Sequence, residues 1–219
     1  MLISKDLNQT NFDDVLPALI RCGLSHTFHN KHNLTGNKSA FGSSFSPSEV
    51  ILSEFVSHIT SGKAWTQGYF QANRRQKQFF VSAQTLALDL DENIGVDDAR
   101  QEQIIRDHAL LVHPSPSSTP GYPKTRVIFV LEESIHNADQ WEQMQKAIIW
   151  HFRHLKPDPA CKDAARMFYG SDVPGAHTKL DARLPHQVIA SIVASVISAA
   201  FIHGRWSKTT RSDGTSMYC

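Results

Sequence analysis

The stretch Thr85-Leu86-Ala87-Leu88-Asp89-Leu90-Asp91 leaves this chain few options. Leucines at 86, 88 and 90 with apolar or small neighbours predict a buried strand delivered to a polar end. Alternate side chains of a strand share a face, so Asp89 and Asp91 converge. Two carboxylates crowded together repel unless a cation is shared, and hard oxygen donors suit Mg²⁺ or Mn²⁺. Two-metal phosphoryl transfer, with ions about 3.5–4 Å apart, usually takes a third carboxylate from elsewhere in the chain. Asp158 is the candidate. Taken alone, a D-x-D is common enough to begin a solvated turn. The apolar strand leading into it, and the Ser-rich and Arg-bearing segments at later strand junctions, are harder to explain that way.

Totals bound the class. At 219 residues and 41% hydrophobic content, the chain can bury one good core, as one large domain or two lobes sharing a cleft. Twenty-two Lys plus Arg against 21 Asp plus Glu give a net charge of +1, which excludes a globally basic nucleic-acid coat and leaves room for a local basic groove. Cys22, Cys161 and Cys219 are far apart and form no C-x-x-C pair, so neither a disulfide framework nor a four-cysteine zinc site is indicated, and a cytoplasmic setting fits. Met1-Leu2-Ile3 runs at once into Lys5 and Asp6, which does not support a signal peptide. The apolar stretch from Val188 to Ile202 is short for a membrane span and reads as a buried helix.

Along the chain, residues 25–46 read as a long polar loop. Ser46-Pro47-Ser48-Glu49 has the form of a capping box, and Val50, Ile51, Phe55 and Ile59 follow at helical spacing until Gly62. Strands are predicted at Phe79–Val81, Thr85–Leu90, Ala109–Val112 and Arg126–Leu131, with a helix capped by Asp97 or Asp98 running to about His108. Asn137, with Gln140 three residues on, caps a helix carrying Trp141, Met144, Ile148 and Phe152. One more strand after it would complete the split β-α-β plan of ferredoxin-like and RNA-recognition-like sheets. Cys22, His26, His29 and His32 have a spacing that zinc could use, but one cysteine in an Asn-rich stretch reads better as solvated surface. No His-x-His occurs, which removes the relaxase class.

Leu86 to Asp91 resembles the first motif of the archaeo-eukaryotic primase (AEP) superfamily, a hydrophobic strand ending in metal-binding D-x-D. His113-Pro114-Ser115-Pro116-Ser117-Ser118-Thr119-Pro120 and Lys124-Thr125-Arg126-Val127-Ile128-Phe129-Val130-Leu131 resemble the loop and strand of the second motif in primase-polymerases of plasmids, phages and CRISPR-linked systems. Pro157-Asp158, then Asp163-Ala164-Ala165-Arg166-Met167-Phe168-Tyr169-Gly170-Ser171, resembles the third motif's acid and its arginine-bearing segment. The likeness covers roughly residues 60 to 175 and lies in order and spacing.

That resemblance implies an α/β (α+β) fold. An RRM-like palm sheet at 81–175 would pack with an N-terminal mixed lobe at 1–80, closed by a helix within 176–206, with a flexible tail at 207–219. It implies template-directed DNA synthesis from dNTP or NTP on a single-stranded template and primer, with Mg²⁺ or Mn²⁺ on Asp89, Asp91 and Asp158, and a helicase as a candidate partner. Ser115, Ser117, Ser118, Lys124, Arg126, Arg166 and His113 become the nucleotide-binding set. Guanidinium forks are natural triphosphate partners. Arg74 and Arg75 could follow template backbone, with Tyr69 and Phe70 available for stacking. The second motif normally reads Ser-x-His, and here that histidine is missing. Either His113 substitutes, or Lys124 and Arg126 hold the triphosphate, or catalysis is weak or absent, leaving a nucleic-acid or nucleotide-binding module.

Overall fold

The computed structural model describes residues 19–25, 44–202, 208–210 and 216–218. Two antiparallel sheets and a helical layer form an α+β fold. The smaller sheet contains β1 (Leu19–Ser25), β2 (Phe45–Ile51), β3 (Trp65–Thr66) and β8 (Met167–Phe168), in the order β2-β1-β3-β8. The larger contains β4 (Gly68–Phe70), β5 (Phe80–Leu90), β6 (Ala109–Pro114), β7 (Thr125–Ile135) and β9 (His177–Thr178), in the order β4-β5-β7-β6-β9. Lys208–Thr210 and Ser216–Tyr218 pair as a short hairpin, β10 and β11. Among the described residues no helix is long and apolar enough to cross a membrane.

The Ser46 capping box does not start a helix. Residues 45–51 pair along the whole of β1, with Pro47 opposite Gly23 and Glu49 opposite Arg21, and the helix, α1 (Leu52–Thr60), begins only afterwards. A capping box is a local preference of about 1 kcal/mol, which a seven-residue ladder overrides. Proline is tolerated because β2 is the edge of its sheet.

In the larger sheet, β5 and β6 are both antiparallel to β7 and so parallel to each other, linked by α2 (Val96–Ala99) and α3 (Gln103–His108). The expected single helix to His108 is thus two short ones. The two strands expected between Phe79 and Leu90 are one, β5, with a register irregularity between Ala83 and Thr85. After β7 comes α4 (Ala138–His151), whose Asn137 side chain accepts from Gln140 N at 2.9 Å as its spacing predicts. The closing strand departs from expectation. The place beside β5 goes to β4, which precedes it in the chain, and β9 joins the opposite edge beside β6.

Both faces of the larger sheet are covered. Leu86, Leu88 and Leu90, with Val127, Phe129 and Val112, pack on Trp141, Ile148 and Phe152 and on α5 (His186–Ile202) through Ile189, Ile192 and Val196. Ala87, Ile128, Val130 and Leu111 pack instead on Ile20, Cys22, Leu24 and Trp65 of the smaller sheet and on Phe55 and Ile59 of α1. Two covered faces require near-continuous apolar runs, which is what residues 86–90 and 127–131 supply. Phe70 is buried edge-on against Phe80, so it is core and offers no stacking surface.

β4 reaches along β5 only as far as Ala83, so the main-chain groups of Thr85, Ala87 and Asp89 on that side have no strand partner among the described residues. Helix α4 supplies two. Trp141 Nε1 donates to Thr85 O at 3.0 Å, and the fully buried Gln145 amide accepts from Ala87 N at 3.2 Å and donates to Ala87 O at 2.7 Å. The backbone after α4 supplies the third, with Asp158 N donating to Asp89 O at 2.8 Å beside a Leu90–Pro157 bridge. Gln145→Leu keeps volume but strips partners from a buried N–H and a buried C=O. It is expected to cost about 2–5 kcal/mol in urea unfolding, whereas the exposed Gln143→Ala should stay within about 0.5 kcal/mol.

Candidate functional site

Position 89 faces the smaller sheet because the leucines on either side of it face the helices. In register, Asp89 of β5, Arg126 of β7 and His113 of β6 stand side by side across three strands. The Arg126 guanidinium donates to Asp89 Oδ2 at 2.9 Å, with both side chains at most 9% exposed. Its other arm donates to the Tyr169 carbonyl, and its Cζ lies over the Phe168 ring, 4.8 Å from the centroid. Tyr169 is held by the chain that follows. A Cβ on Gly170 would fall 2.4 Å from the carbonyls of Ile59 and Lys63, and Ser171 N donates to Ile59 O at 2.9 Å, so only glycine permits this approach.

Asp158 reaches the row through backbone. After α4 the chain makes a turn in which Lys156 takes φ 49°, a left-handed conformation costing about 1 kcal/mol outside glycine. The following Pro157 and Asp158 then pair with Leu90 and Asp89. Asp158 Oδ1 accepts from Ala160 N at 2.8 Å, capping a short 3₁₀ turn, which aims Oδ2 at Arg166 at 2.6 Å. Arg166 also lies 3.7 Å from Asp89 Oδ2, and Lys124 Nζ lies 3.2 Å from Asp91 Oδ1. One carboxylate oxygen from each of Asp89, Asp91 and Asp158 falls within 4.8 Å of the others. Such a hard oxygen set could hold a divalent cation. Asp89 Oδ1, buried, has no hydrogen-bond partner among the described residues, the kind of leftover lone pair that a ligand fills.

Asp89, Asp91, Ser115, Ser117, Lys124, Arg126 and Arg166 line one cleft of about 420 Å³ with Pro116, Met167 and Tyr169. The Ser-rich loop closes on itself: Ser115 N donates to Lys124 O at 2.8 Å, and Ser118 Oγ accepts from Lys124 N at 3.0 Å. Ser118 thereby stabilises the loop and faces a different depression, beside Asp98 and Pro174. His113 is fully buried, with Nδ1 2.9 Å from the Pro114 carbonyl and Nε2 without a partner among the described residues. Burial, with Arg126 adding repulsion, pushes its pKa down to about 3. A neutral imidazole behind the cleft is what results.

The remaining candidates lie apart from this cleft. Exposed Arg74 stacks on Phe79 at 5.0 Å, while half-buried Arg75 covers Phe45 at 4.4 Å and donates to Ala165 O at 3.0 Å. Cys22 sits in the core of the smaller sheet, where burial raises its thiol pKa; His26, His29 and His32 lie outside the described residues. Sequence reasoning passed over Phe168, Tyr169, Gln145 and Cys161. Cys161 is buried near the acids, and burial first, then Asp89, pushes its thiol up to about 12. Phe168 and Tyr169 lie two and three residues after Arg166, and their place in that arginine-bearing segment was the available signal.

No family model and no curated protein matches the chain. Among solved structures, the AEP domain of the cyanophage S-2L primase-polymerase is similar at 8% identity and a TM-score of 0.44, over 80% of this chain and 88% of that one. At that distance the phage enzyme's activity remains a property of the phage enzyme.

His113 has a measurable consequence. Its folded pKa is depressed below the ordinary value of 6.5, so the unfolded chain binds the extra proton as pH falls. Its contribution is intact above about pH 6.5 and is lost progressively toward pH 3, at up to about 1.4 kcal/mol per pH unit. Urea unfolding from pH 7 to pH 4 should show that slope reduced by this amount in His113→Gln.

Proposed function

We propose that this chain is a template-directed primase-polymerase, adding nucleotides from dNTP or NTP to a 3′ hydroxyl on a single-stranded DNA template. The observation that carries the reading is the three-carboxylate cluster with a buried oxygen that has no hydrogen-bond partner among the described residues, two of its acids lining a cleft that also holds Arg126, Arg166, Lys124, Ser115 and Ser117. Asp89, Asp91 and Asp158 would hold Mg²⁺ or Mn²⁺. When bound, the metal supplies charge that activates the attacking hydroxyl and stabilises the leaving oxygen. Arg126, Arg166 and Lys124 neutralise the triphosphate, and Ser115 and Ser117 offer hydroxyl donors to it. Buried His113 takes no phosphate in this arrangement and instead backs Arg126, so the missing second-motif histidine is made good by guanidinium. Exposed Arg74, with Arg75 beside it, is a contact for template backbone. A cytoplasmic replication setting with a helicase partner fits this reading.

A second reading has an observation of its own. Each acid already has a cation partner, as in a binding module that keeps the fold and has lost catalysis. Primer extension and de novo priming on a single-stranded template, with Mg²⁺ and with Mn²⁺, separate the two. Metal-dependent product should fall about a hundredfold or more in Asp89→Ala and Asp91→Ala, with unfolding curves of both variants still cooperative. Full activity in both variants sinks the metal assignment. No product from the wild-type chain, with DNA binding retained, selects the binding module.

A further inference from the structure

The cleft is electrically complete before anything enters it. Asp89 pairs with Arg126 at 2.9 Å, Asp158 with Arg166 at 2.6 Å and Asp91 with Lys124 at 3.2 Å, three charges of each sign, with Arg166 also 3.7 Å from Asp89. These pairs are neutral but unfinished. Asp89 Oδ1, Arg126 Nε and Arg166 Nε are all buried without a hydrogen-bond partner among the described residues. Arg126 and Arg166 also rest on one surface, the Phe168 ring, at 4.8 and 5.6 Å. Attraction between a cation and a ring holds out to about 6 Å from the centroid and fixes no single position, so both guanidiniums can shift while keeping that contact.

Entry of either ligand alone is electrostatically opposed. A divalent cation on the three carboxylates would face three cations it had just displaced. A polyphosphate drawing those cations away would face three uncompensated carboxylates in a partly desolvated cleft, where like charges repel more strongly than in water. When both enter, the partners exchange: carboxylates turn to the metal and guanidiniums to the phosphates, and no charge is left unmatched.

We infer that Arg126, Arg166 and Lys124 hold the metal's place in the ligand-free chain, so that the cleft binds a divalent cation and a polyphosphate together and each alone weakly. This rests on the reading of the cleft as a metal and nucleoside triphosphate site. Binding is the direct readout. Calorimetric titrations of the whole chain with Mn²⁺, with inorganic triphosphate, and with each in the presence of the other, at constant ionic strength and allowing for the complex the two form in solution, measure the coupling. Each ligand should tighten the other by the same factor, about tenfold or more.

Arg166→Gln, chosen because Arg166 is only partly buried, should tighten Mn²⁺ binding without triphosphate by about threefold or more and shrink the coupling. Lys124→Gln should repeat the pattern more weakly, and a melting curve checks that both variants fold. Independent binding of the two ligands, or Mn²⁺ affinity unchanged or lowered in both variants, overturns the place-holder role and leaves the proposed function standing. No binding of either ligand, alone or together, overturns both.

Discussion

An unfinished strand edge organises the molecule. β5 is the long strand that carries Asp89 and delivers Asp91 just past its end, and β4 pairs with less than half of it. Buried N–H and C=O groups without partners each cost on the order of 1–3 kcal/mol, so the remaining edge has to be satisfied by something else. Two polar side chains projecting from α4 and one extended dipeptide after it do so. The same bonds that complete the sheet bring Asp158 beside Asp89. Site assembly and sheet completion are therefore one event, and the polar groups of an otherwise apolar helix face, Trp141 and Gln145, are its instruments.

The functional cleft also depends on the two sheets meeting. Arg126 rises from the N-terminal end of the central strand of the larger sheet, but the ring beneath it and the carbonyl that steadies it belong to the segment that forms the edge strand of the smaller one. Gly170 lets that segment press against the end of α1. Removing charge from the cleft would therefore disturb more than binding: the Asp89–Arg126 pair is buried, and such pairs are costly to break by deleting one member.

Much of this was legible in the residues. The apolar alternation from Leu86 to Asp91 told both the strand and the convergence of its acids, because a period of two is a geometric fact about strands. Asn137 announced its helix through a cap that the structure contains. What could not be read was long-range. Ser46-Pro47-Ser48-Glu49 satisfies a local rule for helix starts, and only the distant partner Leu19–Ser25 makes it a strand. His113 had the right type and neighbourhood for a phosphate contact, yet its register opposite Arg126 buries it completely. Gln145 looked like any polar helix residue. Nothing local reveals that it faces a strand with an empty edge.

The main-chain route by which Asp158 arrives turns the sheet into a ruler. Adjacent extended segments lie about 4.8 Å apart, so the separation of Asp89 from Asp158 is set by backbone spacing and not by the lengths or rotamers of the side chains that precede it. The loop between α4 and Pro157 could gain or lose residues and still deliver the acid at the same distance, provided the bridge to Leu90 forms. A slip of a single residue in that bridge would send the carboxylate to the opposite side of the sheet. Length there is free; parity is not.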